Sequence, residues 1–308
     1  MSAPRDLLGY GAKPPAVRWP GGAKLAVSIA VNFEEGAESS IESGDAAGEA
    51  IGEVTTVIRP GVRDIGQEQL FAYGMRAGVW RMLDALDRYG MKSTFWMCGY
   101  AVQRVPAIAH AVVQAGHEAA CHGWRWRPHA DFTDRETERK SLLQCIEAMQ
   151  SATGTRPVGF FCRGSQSEYT RDLLIDLGFE YDSNALDDDL PYWTQSAGGR
   201  TILAVPYAMD TNDMKFYHPN GFVTSEQFVD YVRGAIDALL EEGARGRPKM
   251  LNIGYHLRIA GRPARIGTLT RVLEYLQSLG DAVWVARRQD IARVWREQFP
   301  AGSESAPG

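Results

Sequence analysis

Lys24-Leu25-Ala26-Val27-Ser28-Ile29-Ala30-Val31-Asn32-Phe33-Glu34-Glu35-Gly36 is an apolar run that stops on two adjacent carboxylates and a glycine. The run reads as a strand. Neighbours along a strand point to opposite faces, so Glu34 and Glu35 cannot share one role. In a parallel α/β barrel, catalytic groups gather at the C-terminal ends of the strands, which is where an acidic pair would supply a general base. Taken alone, the pair reads equally well as a charged turn leaving a core strand. The later strand ends decide between the two.

Seven further β-rich runs follow, at 92–98, 117–121, 157–162, 179–183, 202–206, 249–255 and 282–286. Helical patterns lie between them. Residues 77–86 place apolar side chains at i, i+3, i+4 and i+7. Thr133-Asp134-Arg135-Glu136 forms an acidic first turn leading to Leu142, Leu143 and Ile146, and Ser225-Glu226-Gln227 opens a helix carrying Phe228, Tyr231, Val232 and Ile236. About eight strands, each followed by a helix, predict an α/β barrel of parallel strands. A doubly wound open sheet is the alternative, but no Gly-x-Gly-x-x-Gly follows the first strand. The 308 residues are expected to form one barrel domain over 1–300, with an insertion at 36–72 and a disordered tail at 301–308. So long an insertion is read as a lid over the mouth or a subunit contact, with Ile51, Val54, Val57 and Ile58 as the apolar residues it would bury.

Composition narrows the function. Hydrophobic residues make up 44% and charged residues 23%, as in ordinary soluble domains. A net charge of −5 gives no general attraction for nucleic acid or an anionic membrane. No run of ~18 apolar residues is present and the first residues lack a signal-peptide core, so a cytoplasmic protein is expected. Cys98, Cys121, Cys145 and Cys162 show no Cys-x-x-Cys spacing and read as small buried hydrophobes rather than zinc ligands or nucleophiles.

The strand ends carry the chemistry. After the third comes Cys121-His122-Gly123-Trp124-Arg125-Trp126; after the fourth, Cys162-Arg163-Gly164-Ser165. After the sixth comes Val205-Pro206-Tyr207, then Asp210-Thr211-Asn212-Asp213; the seventh ends in Gly254-Tyr255-His256. A parallel barrel brings Glu34, His122, Arg163, Asp210 or Asp213, and His256 to one face. Each alone has an ordinary structural reading; five in the same relative position point to a site.

This order of motifs resembles the polysaccharide deacetylase (NodB-homology) superfamily. Gly9-Tyr10-Gly11, Arg18-Trp19-Pro20, Asp188-Asp189-Leu190-Pro191-Tyr192-Trp193, Val205-Pro206-Tyr207 and Gly261-Arg262-Pro263-Ala264-Arg265 are similar to its branch of metal-independent allantoinases and cyclic imide hydrolases. The resemblance covers roughly residues 6–297. It implies a deformed (β/α)7-8 TIM-like barrel, hydrolysis of a non-peptide C–N bond and a homotetramer. It also implies Glu34 as base, Arg163 as the residue orienting it, and His256 as the proton donor to the leaving group, with Asp210 or Asp213 as its partner. His122, Trp126, Tyr207 and Arg262 would contact substrate, and Arg163, Arg258, Arg262 and Arg265 could receive a carboxylate.

The departures bear on the cofactor. The superfamily binds metal through an acid and two histidines; the matching positions here are Glu35, His122 and Trp126. An indole nitrogen is a donor only and cannot ligate a metal. No cofactor is therefore expected, with zinc at low occupancy on Glu35 and His122 as the exception, and His129 a substitute only if its loop folds back. The expected partner is a small cyclic ureide or imide, with no nucleic acid and no membrane. A metal-dependent polysaccharide or peptidoglycan N-deacetylase and an inactive small-ligand binding module are the alternatives.

Overall fold

The computed structural model describes residues 5–302. Its strands are β1 (Leu25–Phe33), β2 (Thr94–Met97), β3 (Glu118–Cys121), β4 (Gly159–Phe160), β5 (Tyr181–Asp182), β6 (Tyr192–Gln195), β7 (Thr201–Ala204), β8 (Lys249–His256) and β9 (Val283–Val285). Its helices are α1 (Ile65–Tyr73), α2 (Val79–Arg88), α3 (Gly99–Arg104), α4 (Pro106–Gln114), α5 (Arg135–Thr153), α6 (Thr170–Asp176), α7 (Ser225–Ala244), α8 (Gly267–Ser278) and α9 (Arg288–Gln298). All eight expected strands are present. The sheet runs β6-β7-β5-β4-β3-β2-β1-β8, with β9 also on β1, and every pairing is parallel except β6 with β7. It curls into the half-barrel of a deformed TIM-like fold.

β6 was not anticipated. Tyr192 and Trp193, part of a motif that carries the family resemblance, start an antiparallel hairpin strand on the sheet edge. The insertion is also shorter than 36–72, because α1 already begins at Ile65 behind an Asp64 cap. Of the expected tail, Ala301 and Gly302 form an exposed turn; residues 303–308 lie outside the described residues.

β1 is buried on both faces, as a central strand of such a sheet must be. Leu25, Val27, Ile29, Val31 and Phe33 pack under the helices, whereas Ala26 and Ala30 face the interior with Trp96, Ala120, Phe161, Tyr181, Val205 and Tyr207. Small residues alternate on the inner face because Trp96 and Arg288 fill that space. Between β6 and β8, the two ends of the sheet, the ladder is open, and loops close the seam. Gly254 donates its N–H to the Thr211 carbonyl at 3.0 Å, and Met250 to that of Asp189 at 2.9 Å. Fully buried Arg288 spans the same gap, donating to Asn252 Oδ1 at 2.8 Å, the Pro206 carbonyl at 2.6 Å and the Val205 carbonyl. With Nε donating to Ser183 Oγ at 3.1 Å, every guanidinium nitrogen has a partner, without which a buried cation would not be tolerated.

Helix ends follow local chemistry. Asp134 caps α5 by accepting the Thr137 N–H at 2.8 Å, and Thr224 with Gln227 forms a full capping box on α7. A π-helical turn, Gly74–Gly78, joins α1 to α2. It brings the chain against the site: a side chain on Gly74 would meet the Glu35 carboxylate, and one on Gly78 the Leu257 carbonyl. Such π turns are common beside functional sites.

Candidate active site

Register places the site. Asn32 on β1 lies opposite His256 on β8, and Phe33 lies opposite Met97 on β2, so Glu34 emerges between the ends of two neighbouring strands. His122 follows β3, its N–H donating to the Met97 carbonyl at 2.9 Å. The three side chains meet. Glu34 Oε1 lies 3.2 Å from His122 Nε2 and 3.3 Å from His256 Nε2, and Oε2 accepts from Arg258 Nη1 at 2.7 Å. All are buried: Glu34 and His122 are 2% exposed and His256 4%.

Each imidazole is oriented by its second nitrogen. His256 Nδ1 donates to Asp213 Oδ1 at 2.6 Å, while Asp213 Oδ2 accepts the backbone N–H groups of His256 at 2.9 Å and Ala260 at 3.1 Å. His122 Nδ1 lies 2.7 Å from the Phe161 carbonyl. That carbonyl only accepts, so Nδ1 carries hydrogen and Nε2 is the atom that shares a proton with Glu34. The His122 ring stacks on Phe161, which stacks in turn on Tyr207 at 4.4 Å.

The charges are coupled. Burial raises the Glu34 pKa, but His256, Arg258 and the hydrogen bond from His122 overcome it and hold the carboxyl well below the usual range. Burial lowers the His256 pKa, but Glu34 and Asp213 outweigh it and raise it to about 9. Glu35 turns away from the mouth: its Oε2 accepts the Glu34 N–H at 3.1 Å and its Oε1 the Arg258 N–H at 3.0 Å, tying the ends of β1 and β8 together. Burial leads the causes acting on Glu35, and its pKa is raised despite Arg258.

Two expected contacts are not formed. Arg163 does not touch Glu34; it pairs with Glu49 at 2.6 and 3.0 Å and lies 3.8 Å over the Trp126 ring. It sits one aromatic ring too far out, and Arg258 takes the place beside the carboxylate. Asp210 is exposed and accepts from the Tyr231 hydroxyl at 3.2 Å, so of the two candidate partners only Asp213 reaches His256. Tyr207 is buried, and its hydroxyl accepts from Asn32 and Asn212. Arg262 stacks 4.1 Å over Tyr73, 4.0 Å from Glu53. Ile51, Val54, Val57 and Ile58 are exposed on the single chain.

Arg258 was named at the sequence level only as a possible carboxylate receiver. Its signal was its place two residues beyond His256, in the turn that follows a strand end. Its guanidinium is 2% exposed and flanked by Phe71 at 4.4 Å and Trp126 at 4.8 Å. Glu49 and Glu53 had no such signal, because nothing local in an irregular segment marks a residue paired across the mouth. The four cysteines are buried thiols. Burial raises Cys98, Cys145 and Cys162, as expected of packing residues rather than nucleophiles.

The donor set does not fit the ion that the superfamily's metal site implies. The second histidine position holds Trp126, and the Arg258 guanidinium already lies between Glu34 and Glu35, at 2.7 and 3.4 Å. His129 is engaged elsewhere, 2.8 Å from buried Glu138. Among the described residues no group of three or more His, Cys, Asp and Glu side chains is arranged to hold a metal ion.

A buried carboxylate, two oriented imidazoles and a half-barrel mouth define a hydrolase that attacks with water. The comparisons agree. The polysaccharide deacetylase family matches residues 68–181. A Schizosaccharomyces pombe protein named for polysaccharide deacetylase is 36% identical over 97% of this chain and 99% of its own. Two crystal structures each cover 97% of this chain and 99% of theirs. One, named for a polysaccharide deacetylase of Pseudomonas aeruginosa PAO1, is 44% identical with a TM-score of 0.90. The other, PuuE allantoinase, is 41% identical with a TM-score of 0.91. The chain belongs to the polysaccharide deacetylase family, and it is a hydrolase of carbon–nitrogen bonds.

Proposed function

We propose that this hydrolase opens a small cyclic amide, an allantoin-like ureide or a cyclic imide, without a metal ion. The observation that carries this reading is the arrangement at Glu34, where a guanidinium and two imidazoles surround one buried carboxylate. Glu34 takes a proton from water as the water attacks the ring carbonyl, forming the tetrahedral intermediate. His256, protonated and held by Asp213, delivers a proton to the departing ring nitrogen as the C–N bond breaks. The Arg258 Nε is buried with no protein partner and is the spare donor for the developing oxyanion. Ring opening leaves one carboxylate and one N–H on the same product molecule. The similarity to PuuE allantoinase supports this substrate class.

The second reading, a metal-dependent N-deacetylase of polysaccharide or peptidoglycan, draws on the names of other relatives, including a Helicobacter pylori peptidoglycan deacetylase 26% identical over 44% of this chain. The third, a silent binding module, has the intact proton-transfer set against it. Purified protein is assayed on allantoin, hydantoin, succinimide and an acetylated chitooligomer, before and after exhaustive EDTA treatment. Retention of most activity on a cyclic amide after chelation is expected; activity lost to EDTA and restored by zinc decides for the second reading. Light scattering tests the proposed homotetramer. No helix among the described residues is long and apolar enough to cross a membrane, and we place the enzyme in the cytoplasm.

The pH profile follows from the coupled charges. Catalysis needs Glu34 ionised and His256 protonated, so kcat/KM should hold a plateau from below the ordinary carboxylate range and fall as pH rises through about 9. The same group contributes to stability. Its folded pKa lies above the unfolded value of 6.5, so the contribution is complete below that pH and is lost as pH rises through about 9. An alkaline limb near neutrality would show that His256 is not the group titrating.

A further inference from the structure

Glu34, His122 and His256 are shut away from solvent, so a substrate reaches them only after something moves. The segment between β1 and α1, residues 36–64, lies outward of them. From Glu34 the contacts run through Arg258 to Trp126, from Trp126 to Arg163, and from Arg163 to Glu49. On a second side the Tyr217 hydroxyl donates to Glu53 at 3.3 Å. The segment is therefore a strap across the mouth.

One acid stitches the strap to each of three strand-end loops. Asp45 pairs with Arg125 at 2.6 Å, and with Arg127, in the loop after β3. Glu49 grips Arg163 after β4 through both oxygens. Glu53 grips Arg265 after β8 at 2.5 and 2.8 Å. The end nearest β1 is fixed differently: Arg125 also donates to the Ala37 carbonyl at 3.0 Å and the Glu38 carbonyl at 2.7 Å, and Trp126 N–H to the Ala37 carbonyl at 3.0 Å. That end is a pivot. Beyond it the strap has little to keep it closed besides charge. Its only regular element is the 3-10 turn Ile41–Ser43, and Val57 is 94% exposed. A segment with few buried apolar contacts opens locally without unfolding the domain.

We propose that the strap is the gate of the site, with Glu49 and Glu53 as specificity-determining latches: it swings from the Ala37 end to admit substrate and recloses over it, so that only a molecule small enough to be enclosed is turned over. Closed, the strap keeps bulk water from the reacting carbonyl. The inference deepens the small-substrate reading above and rests on it.

Two measurements on the whole protein decide it. In the Glu49→Gln/Glu53→Gln double variant, hydrogen exchange of strap amides should rise ~10-fold or more, with β1 and β8 amides unchanged as the check on folding. Unaltered strap exchange overturns the latches. Second, the four native cysteines are buried, so in a Glu53→Cys/Arg265→Cys variant a short bis-maleimide finds only the introduced pair. Cross-linking should lower cyclic-amide turnover by ~100-fold or more relative to the singly labelled Glu53→Cys protein. Equal turnover in the cross-linked and singly labelled proteins overturns the gate. If the parent protein opens no cyclic amide, the small-substrate reading fails, while the exchange result still decides the latches.

Discussion

His256→Ala is expected to lower kcat by ~10²–10⁴ on a cyclic amide, the usual consequence of removing a positioned proton donor. The departing ring nitrogen is a poor leaving group as an anion, and His256 is the protonated group at the mouth whose second nitrogen is fixed, at 2.6 Å from Asp213. KM should change little, because the proton moves in the transition state and not on binding. The fold should survive, since His256 sits at the end of β8 rather than inside either hydrophobic cluster. The remaining activity should also lose its alkaline limb near pH 9, because the group that titrates there is gone. A folded variant with parent-like kcat removes His256 from the mechanism.

Arg258→Ala should cost about 3–5 kcal/mol of unfolding free energy, the range for removing one partner of a buried ion pair. Two carboxylates, Glu34 and Glu35, depend on this one guanidinium, and all three groups are at most 2% exposed. Loss of the cation leaves two buried anions side by side, and the deficit should shrink at acid pH, where one of them takes up a proton. Arg163→Ala is the informative contrast. Arg163 is 22% exposed on its side chain and its partner Glu49 belongs to the strap, so the barrel should lose much less. Urea titration of both variants at neutral and acid pH tests the comparison, and equal losses would show that Arg258 has no special place.

Most of the scaffold was legible because β1 through β9 are written in two-residue alternation or in continuous apolar runs between amphipathic helices. The exception, Tyr192–Gln195, is a half-exposed edge strand of a hairpin. It lacks the buried run that marks a central strand. Of the candidate site, the convergence of Glu34, His122, Asp213 and His256 was legible because each closes or follows an apolar run, and a parallel sheet delivers all such ends to one face. The arginine was misassigned because both Arg163 and Arg258 follow strands. Only the distance to Glu34 separates them, and that distance depends on how far each loop turns after its strand.

The amino-acid sequence by itself determined every strand but the edge strand β6, the face on which polar residues collect, the family, and the tryptophan that breaks a histidine pair. Each of these depends on local spacing or on residue type, which survive in one dimension. Tertiary structure alone decided that Arg258 is the cation between the acids, that Asp213 rather than Asp210 holds His256, and that Glu49 and Glu53 occupy Arg163 and Arg265. Those pairs join residues far apart in the chain. No local propensity encodes them, because their geometry is set by β1–β8 register and by the path of an irregular strap over the barrel mouth.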